Sequence, residues 1–498
     1  MTDQTANSDL ARKYDAVAYA AQSNALSHPR HLATVAALFG MAPAPITTAR
    51  VLEVGCSNGA NLLPMAAALP DARFVGCDLS HHAIAEARRG AAELGLANVT
   101  LHERDLAMLA HAPDEYDYVI AHGVYSWVPP HVRDALFALA ARRLSRNGVL
   151  FVSYNVYPGC HVRQAAWEML HHHVDAILDP RAKLDAARAL AAVLAEPGVT
   201  QTDTDALLRQ EFRRLSTQSD SALYHDDLAV PNDPVYFHAF AAHLARHGLA
   251  FVAEAKLSMM TTAGLAPGVL DLVSGRDRVE REQYLDFARM RRFRQSLARR
   301  ADAPIADGGP AARVAGMHVA ASLSLVRAHA EGKAIADTAA QDHDVRAARR
   351  LLQRLVDVAP RIVPVAEAVE WQRTHAREDV GAARPVAELL VDACFAGSVD
   401  LYVQPPALAA AAAEKPCASP VVRWQAARRQ AVTNLRHEPL RIDDPFALQL
   451  LVLLDGTRTL AALAAAMAPG LPAAARAGAD ARIATCLAHF ALHGLLVA

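Results

Sequence analysis

The sequence predicts an α/β fold: a Rossmann-like domain, then a largely helical region, then a small winged-helix-like C-terminal domain. Three observations indicate this order. Short apolar strands alternate with helical stretches between residues 49 and 160, a glycine-containing turn directly follows the first strand, and long helical stretches follow residue 160. Strands that alternate with helices at this spacing are typical of βαβ units in a parallel sheet.

The predicted elements of the first domain follow one another regularly. A helix over Arg30–Phe39 comes first. Five short apolar strands are then predicted at Ala49–Val54, Arg73–Cys77, Val99–Glu103, Tyr116–Ala121 and Gly148–Ser153. Helices are predicted between them at Asn61–Leu69, Ser80–Leu94 and His131–Leu144, with Ser80 as an N-cap. Ligands of such sheets bind at the carboxyl ends of the strands, so a site is expected there.

The rest of the chain is expected to be mainly helical. Helices are predicted at Gln164–Ile177, Arg181–Leu194 and Pro234–His247, a strand at Ala250–Glu254 and an extended piece at Ser398–Val403. The Gly- and Pro-bearing stretch 302–312 predicts a linker. Helices at Asp444–Leu454, at Leu460–Met467 and from about Arg482 onward predict the winged-helix-like domain.

These patterns divide the chain into six predicted segments. They are an N-terminal segment with a helix (1–48), the Rossmann-like domain (49–160), a helical connection (161–222), a second compact block (223–300), a linker and helical region (301–382) and the winged-helix-like domain (383–498). Several domains are expected because 498 residues exceed what one hydrophobic core usually organises.

Composition and charge argue against several classes of protein. Fifty basic and 52 acidic residues give a net charge of −2, so no chain-wide electrostatic attraction to nucleic acid or anionic membrane is expected. No stretch supplies the roughly 20 apolar residues of a membrane span, and residues 1–10 do not form an apolar signal core. A cytoplasmic location without a membrane partner is therefore predicted.

Metal binding is not predicted. The six cysteines form no C-x-x-C pair, which argues against a zinc module or a disulfide framework. His171, His172 and His173 are consecutive and would point to different sides of a helix, whereas neighbours on one helical face lie three or four residues apart.

The most informative motif is Glu53-Val-Gly-Cys-Ser-Asn-Gly59, an E-x-G-x-x-x-G turn between a strand and a helix. Its glycines allow a tight turn and a close approach of the backbone to a ligand. Position 57 is Ser, so the G-x-G-x-x-G pattern that cradles a pyrophosphate is missing. The turn therefore suits an amino-acid-bearing nucleoside. Glu53 is interpreted either as ordering the turn or as a ligand group.

Two acidic residues follow strand ends. Asp78 comes 23 residues after Gly55, close to the offset at which a carboxylate meets ribose hydroxyls, although it could instead cap the next helix. Asp105, two residues past the third strand, is placed to meet an adenine amino group or to lie in a solvated turn.

Aromatic residues follow the fourth and fifth strands. They lie in Ala121-His-Gly-Val-Tyr-Ser-Trp-Val-Pro-Pro130 and Tyr154-Asn-Val-Tyr-Pro-Gly-Cys-His161. Ring faces attract positive charge and exclude water, so these segments suit a sulfonium and an amine. Each single aromatic residue can equally belong to the core.

The sequence resembles bacterial class I methyltransferases that carry a methyltransferase regulatory domain, a family that includes rickettsial protein-lysine methyltransferases acting on outer membrane protein B. The resemblance rests on Glu53–Gly59, on His122–Pro129 and on Ser153–Gly159. Tyr14–Tyr19 and Ser27–Thr34 resemble the opening segment of the family, and Asn232–Glu254 and Tyr284–Gln295 resemble its regulatory domain, here assigned to residues 223–300. Cys160 replaces a Trp that relatives often have.

The resemblance implies S-adenosylmethionine as the cofactor and assigns residues to two groups. The cofactor would be bound by Tyr14 and Tyr19, which would close as a lid, and by Glu53, Gly55, Ser57, Gly59, Asp78, Leu79, Asp105, Leu106, Ala121 and His122. The acceptor side would be formed by His122, Tyr125, Trp127, Tyr154, Asn155 and Tyr157. Methyl transfer is an in-line displacement that depends on alignment and electrostatics, so no single indispensable base is expected.

The resemblance favours lysine side chains of a protein as acceptors and allows a homodimer. Two alternatives stay open. One is a methyltransferase of a small metabolite or natural product, and the other is a cofactor-sensing regulator whose C-terminal domain binds nucleic acid. The basic run from Arg289 to Arg300 is interpreted as a solvated helix face or as a guide for an acidic protein substrate.

Overall fold

A seven-stranded sheet forms the centre of the computed structural model, which describes residues 17, 21–109, 114–197, 202–333, 335, 343–375, 384–470, 472 and 478–498. The strands are β1 (Arg50–Val54), β2 (Arg73–Asp78), β3 (Val99–Glu103), β4 (Tyr116–Ala121), β5 (Leu144–Asn155), β6 (Leu249–Glu254) and β7 (Phe293–Arg300). Their spatial order is β3-β2-β1-β4-β5-β7-β6. The first five are parallel, as predicted, and β7 runs antiparallel to both neighbours.

Strands β6 and β7 belong to residues 223–300, which the sequence analysis assigned to a block separate from the Rossmann-like domain. Leu150 of β5 pairs with Ala298 of β7, and Leu249 of β6 pairs with Arg300. Residues 223–300 therefore complete the sheet, because without β7 the outer edge of β5 would leave backbone groups unpaired. The strand predicted at Ala250–Glu254 is confirmed.

Helices cover both faces of the sheet. The bounds of those in the first 300 residues are α1 (Pro29–Leu38), α2 (Leu62–Ala68), α3 (His81–Glu93), α4 (Leu106–Leu109), α5 (Pro130–Arg143), α6 (Cys160–Val174), α7 (Pro180–Leu194), α8 (Asp203–Thr217), α9 (Phe237–Arg246), α10 (Pro267–Val273) and α11 (Arg278–Arg289). Successive strand residues face opposite sides, so Val51 joins the core that contains α1 and Leu52 joins the core that contains α5 and α9. Both faces are apolar because both are covered.

The helical connection forms a separate small core. Helices α6, α7 and α8 pack together through Leu170, Leu184 and Phe212. A helical turn at Asp220–Ala222 and a π-helical turn at Leu223–Asp227 lead from this bundle back to the sheet. The bundle therefore stands beside the carboxyl ends of the strands.

The remaining elements belong to two further layers. They are α12 (Leu323–Ala330), α13 (His343–Asp357), α14 (Val365–His375), α15 (Val386–Phe395), α16 (Pro420–Ala427), α17 (Pro445–Leu453), α18 (Leu460–Met467), α19 (Ala479–Leu492), β8 (His318–Ala321), β9 (Val363–Pro364), β10 (Val399–Tyr402), β11 (Val432–Thr433) and β12 (Pro439–Leu440). Strand β10 pairs with β8, and Leu390 and Leu401 join the main core. The C-terminal core begins near Ala409, so residue 383 does not mark a break between cores. None of the described helices is long and apolar enough to cross a membrane.

The basic run Arg289–Arg300 is not a solvated helix face, which corrects the interpretation from sequence. Most of it is strand β7, and the side chain of Arg294 is fully buried. Its guanidinium contacts Glu254 at 2.7 Å and Asp286 at 2.8 Å, and it also contacts Glu282 at 3.1 Å. Arginine remains charged when buried, so these acids compensate a charge that would otherwise be costly.

We expect Arg294→Met to lower the free energy of unfolding by about 3–5 kcal/mol, because it leaves the buried carboxylate of Glu254 without the arginine that contacts it. Urea unfolding followed by circular dichroism measures the loss. Arg300→Met on the same strand is the control, since its pair with Asp302 is exposed and contributes about 1 kcal/mol or less. Equal losses in the two variants would contradict this account.

Candidate active site

A cavity of about 550 Å³ lies at the carboxyl ends of β1 to β5. This is within the usual range for small-molecule sites, about 300–1,000 Å³. Nine of the residues predicted from sequence line it, namely Gly55, Ser57, Asp78, Leu79, Asp105, Leu106, His122, Trp127 and Asn155. They come from the ends of five strands, which is where a parallel sheet places its ligand.

The glycine turn forms the floor of the cavity. Gly55 has φ of +71°, and a Cβ there would lie 2.8 Å from Cγ2 of Val124. Ser57 also adopts a left-handed conformation, with φ of +48°. Gly59 is not among the lining residues, and a Cβ there would meet Leu63 at 2.9 Å. It allows the turn to pack on α2.

Asp78, at the end of β2, forms a hydrogen bond to the turn that follows β1. Its Oδ2 accepts a hydrogen bond from the backbone N–H of Ser57 at 2.8 Å, and its Oδ1 accepts one from the N–H of Ser80 at 2.9 Å. Ser80 in turn caps α3 by accepting from the N–H of Ala83 at 3.1 Å. The carboxylate therefore holds the glycine turn while it lines the cavity, and the predicted N-cap is confirmed.

Glu53 lies behind the turn in a buried polar network. Its Oε1 accepts a hydrogen bond of 2.6 Å from Nδ2 of Asn61, and its Oε2 has no hydrogen-bond partner among the described residues. The Oδ1 of Asn61 accepts from the N–H of Asn24 and from Nε2 of His437, both at 2.8 Å. Burial raises the pKa of Glu53 to about 8. Glu53 does not line the cavity, and its carboxylate contacts Asn61, just after the glycine turn.

His122 is held in place at the end of β4. Its Nδ1 lies 2.9 Å from Oγ of Ser153, and its Nε2 lies 3.3 Å from Nδ2 of Asn24. A ring protonated on Nδ1 satisfies both contacts. Burial lowers the pKa of His122 to about 4, so the ring is neutral at physiological pH. Ala121 is fully buried in the sheet and does not line the cavity.

Three of the predicted acceptor residues are not in the cavity wall. Tyr125 and Tyr154 are buried in the core, where their hydroxyl groups lie 2.9 Å from His243 Nδ1 and Ser296 Oγ respectively. Tyr157 stacks on His161 outside the cavity, with ring centroids 4.1 Å apart. Their sequence positions near strand ends did not show which way the rings face. His122, Trp127 and Asn155 are the predicted acceptor-side residues that line the cavity.

The cavity wall also includes five residues that the sequence did not identify as site residues. Arg163, His225, Asp226, Arg292 and Phe293 come from α6, the π-helical turn and the start of β7. The guanidinium of Arg163 donates hydrogen bonds to Asp227 Oδ1 and to the carbonyl of Asp226, both at 2.9 Å. Burial raises the pKa of Asp226 to about 6. Of these residues, only Arg292 belongs to a motif noted in the sequence, the basic run Arg289–Arg300. That run was interpreted as a solvated helix face or a guide for an acidic substrate, and not as part of a cavity wall.

The N-terminal segment is described only in part. Tyr14 and Tyr19, predicted to form a lid, lie outside the described residues. Between them, the carbonyl of Val17 accepts a hydrogen bond of 2.7 Å from Nε2 of His225. Val17 therefore contacts a residue of the cavity wall.

Three family models match the chain. Residues 51–148 match a methyltransferase domain, residues 219–300 a predicted methyltransferase regulatory domain, and residues 414–475 the C-terminal winged helix domain of PKMT. An uncharacterised protein of Rickettsia prowazekii is 32% identical over 228 residues, which are 46% of this chain and 91% of that protein. The chain belongs to the methyltransferases that carry this regulatory domain. The family and the fold class predicted from sequence are thus confirmed.

Two further relatives extend the comparison. Another uncharacterised protein of Rickettsia prowazekii is 36% identical over 57% of this chain, and the chain spans about half (52%) of its length. The structure of PKMT2 from Rickettsia typhi in complex with AdoHcy is 24% identical, with a TM-score of 0.82 over 96% of this chain and 100% of that one. The two proteins share a fold over nearly their whole lengths.

We expect Glu53→Gln to change how stability depends on pH. The pKa of the folded form, about 8, exceeds the unfolded value of about 4.3, so the stability linked to this proton is complete below about pH 4 and is lost as pH rises to about 8. Urea unfolding should show the variant gaining on the wild type by up to about 1.4 kcal/mol per pH unit in this window. As a control, Asp71→Asn changes an exposed carboxylate and should show the same pH dependence of stability as the wild type. If the stability of Glu53→Gln also changed with pH in parallel with the wild type, the raised pKa of Glu53 would be refuted.

Proposed function

We propose that the chain is an S-adenosylmethionine-dependent methyltransferase that modifies lysine side chains of a protein. One observation carries the proposal: a single cavity is lined both by the nucleoside-type residues Gly55 and Asp78 and by Trp127 and the partly buried Asp226. The shared fold with PKMT2 and the match to a PKMT winged helix domain support it. The cytoplasmic location and a homodimer stay predictions.

The glycine-turn end fits S-adenosylmethionine. Gly55 lines this part of the cavity with a positive φ that suits glycine, and Asp78 presents a carboxylate to a ribose diol. Asp105 lines the same end, beside the apolar side chains of Leu79 and Leu106, which suits an adenine ring. When bound, the cofactor supplies the methyl group on an electrophilic sulfonium.

Other residues of the cavity wall fit an alkylammonium. Asp226 is ionised above about pH 6, so it attracts a positively charged acceptor into the cavity. The face of Trp127 offers a cation–π surface, and Asn155 is oriented by its hydrogen bond of 2.9 Å to Oδ1 of Asn232. An amine must lose its proton before it attacks, and an apolar wall together with a nearby positive charge lowers its pKa. His122, neutral and held by Ser153, positions this end without carrying charge.

The nucleic-acid alternative is not favoured by the position of the β11–β12 hairpin. Asn434, Arg436 and His437 at its tip are buried, and His437 contacts Asn61 behind the glycine turn. A hairpin held in this way does not present its tip to a nucleic acid groove.

The deciding experiment is incubation of the purified protein with methyl-labelled cofactor and bacterial lysate, followed by separation of proteins from small molecules. We expect label on lysine residues in the protein fraction, identified by mass spectrometry. Label confined to the small-molecule fraction would refute the protein substrate and favour the metabolite alternative, and no label in either fraction would refute both.

We expect Asp78→Asn to weaken binding of S-adenosylmethionine by about tenfold or more, which corresponds to at least about 1.4 kcal/mol. The amide keeps one acceptor for the N–H of Ser80 but removes the charge and the second acceptor. Isothermal titration calorimetry measures the dissociation constant. Glu103→Gln, at the exposed end of β3, is the matched control, and equal affinities for both variants would rule out the ribose role.

We expect Asp226→Asn to raise KM for the amine acceptor by about tenfold above pH 6 and to leave cofactor affinity unchanged, because only the acceptor loses an attractive charge. In the wild type, KM should rise as pH falls through about 6, and this rise should be missing in the variant. Asp175→Asn, at the exposed end of α6, controls for a general charge effect. A wild-type pH profile retained in Asp226→Asn would show that another group binds the amine.

A further inference from the structure

Three side chains from α5 and the end of α9 form a cluster that does not line the cavity. Asp134 lies on α5, His243 lies on α9, and His247 directly follows α9. We propose that these three residues form a binding site for a divalent transition-metal ion of the Zn²⁺ type. The sequence did not predict it, because Asp134 and the two histidines are far apart in the chain.

The distances fit a tetrahedral ion. Oδ1 of Asp134 lies 2.8 Å from Nε2 of His243 and 3.3 Å from Nε2 of His247, and the ligand atoms of the cluster all lie within 4.8 Å of one another. Ligands at about 2.0–2.1 Å from Zn²⁺ in tetrahedral geometry are about 3.3 Å apart. A small adjustment of side chains therefore brings one oxygen and two nitrogens to a common ion.

The helix provides the spacing that a metal site needs. His243 and His247 are separated by four residues, so their side chains emerge on the same face one turn apart. Two imidazoles and one carboxylate are a common ligand set for Zn²⁺, with water completing the coordination. The side chain of Asp134 is 54% exposed, which leaves a route for the ion and room for that water.

A second layer of contacts orients one of the ligands. Nδ1 of His243 lies 2.9 Å from the hydroxyl of Tyr125, and the imidazole packs against Phe137 with centroids 4.5 Å apart. Metal-binding histidines usually use their other ring nitrogen in such a contact, which fixes the ring and the tautomer.

The position of the site suggests a structural role. An ion there would join α5, in the part of the chain that matches the methyltransferase domain, to the end of α9, in the part that matches the regulatory domain. Tyr125, which contacts His243, opens the short helical turn that carries Trp127 to the cavity. The inference does not rest on the proposed lysine substrate.

The test is metal binding to the tag-free full-length protein after dialysis against a chelator. We expect one equivalent of Zn²⁺ by calorimetry, a visible absorption band with Co²⁺, and a higher melting temperature with Zn²⁺. Asp134→Ala and His247→Ala should each weaken Zn²⁺ binding by more than about tenfold and abolish the thermal shift. Binding should also weaken as pH falls, because protons compete for the imidazoles.

His238→Ala is the matched control, because His238 is an exposed histidine on the same helix that contacts Gln283 and not the cluster. It should bind Zn²⁺ like the wild type. Failure of the wild type to bind Zn²⁺ at micromolar concentration would overturn the proposal. Binding that Asp134→Ala and His247→Ala leave unchanged would overturn it as well, since the ion would then lie on other histidines such as His171–His173.

Discussion

The backbone pairing of β5 with β7 brings together parts of the chain that are distant in sequence, and the site depends on it. Asn155 at the end of β5 is paired with Phe293 at the start of β7, so Arg292 and Phe293 reach the cavity beside Asn155. The same pairing carries Arg294 into the interior. A buried guanidinium requires compensating charge, which Glu254 and Asp286 provide from β6 and α11. The regulatory block is therefore part of the sheet that forms the site.

A second set of contacts, centred on Asn61, connects the residues behind the glycine turn to the N-terminal segment and to the C-terminal domain. Asn61 has four hydrogen-bonding positions, and it uses them for Glu53, Ser27, Asn24 and His437. These partners come from β1, the N-terminal segment and the β11–β12 hairpin. The C-terminal domain also contacts α3, where Trp424 donates a hydrogen bond to Glu93 at 2.8 Å. An unsatisfied buried amide is costly, so this network favours one arrangement of the three parts.

Much of the fold could be predicted from local patterns. The first five strands, the N-cap at Ser80 and the long helices after residue 160 depend on apolar periodicity and capping chemistry, which are properties of short segments. The strand at Arg294 could not be predicted in this way, because its charges are tolerated only through partners on β6 and α11. The same limit applied to Tyr125 and Tyr154, whose rings belong to the core although they follow strands as cavity residues do.

The sequence by itself determined the glycine turn, the acidic residues after the strands and the family. These features need only the residue type and its place relative to one strand. Tertiary structure alone decided which aromatic residues line the cavity, which residues from α6 onward join them there and how Asp134 meets His243. Those arrangements depend on contacts between distant segments, in which burial and charge compensation outweigh local preference.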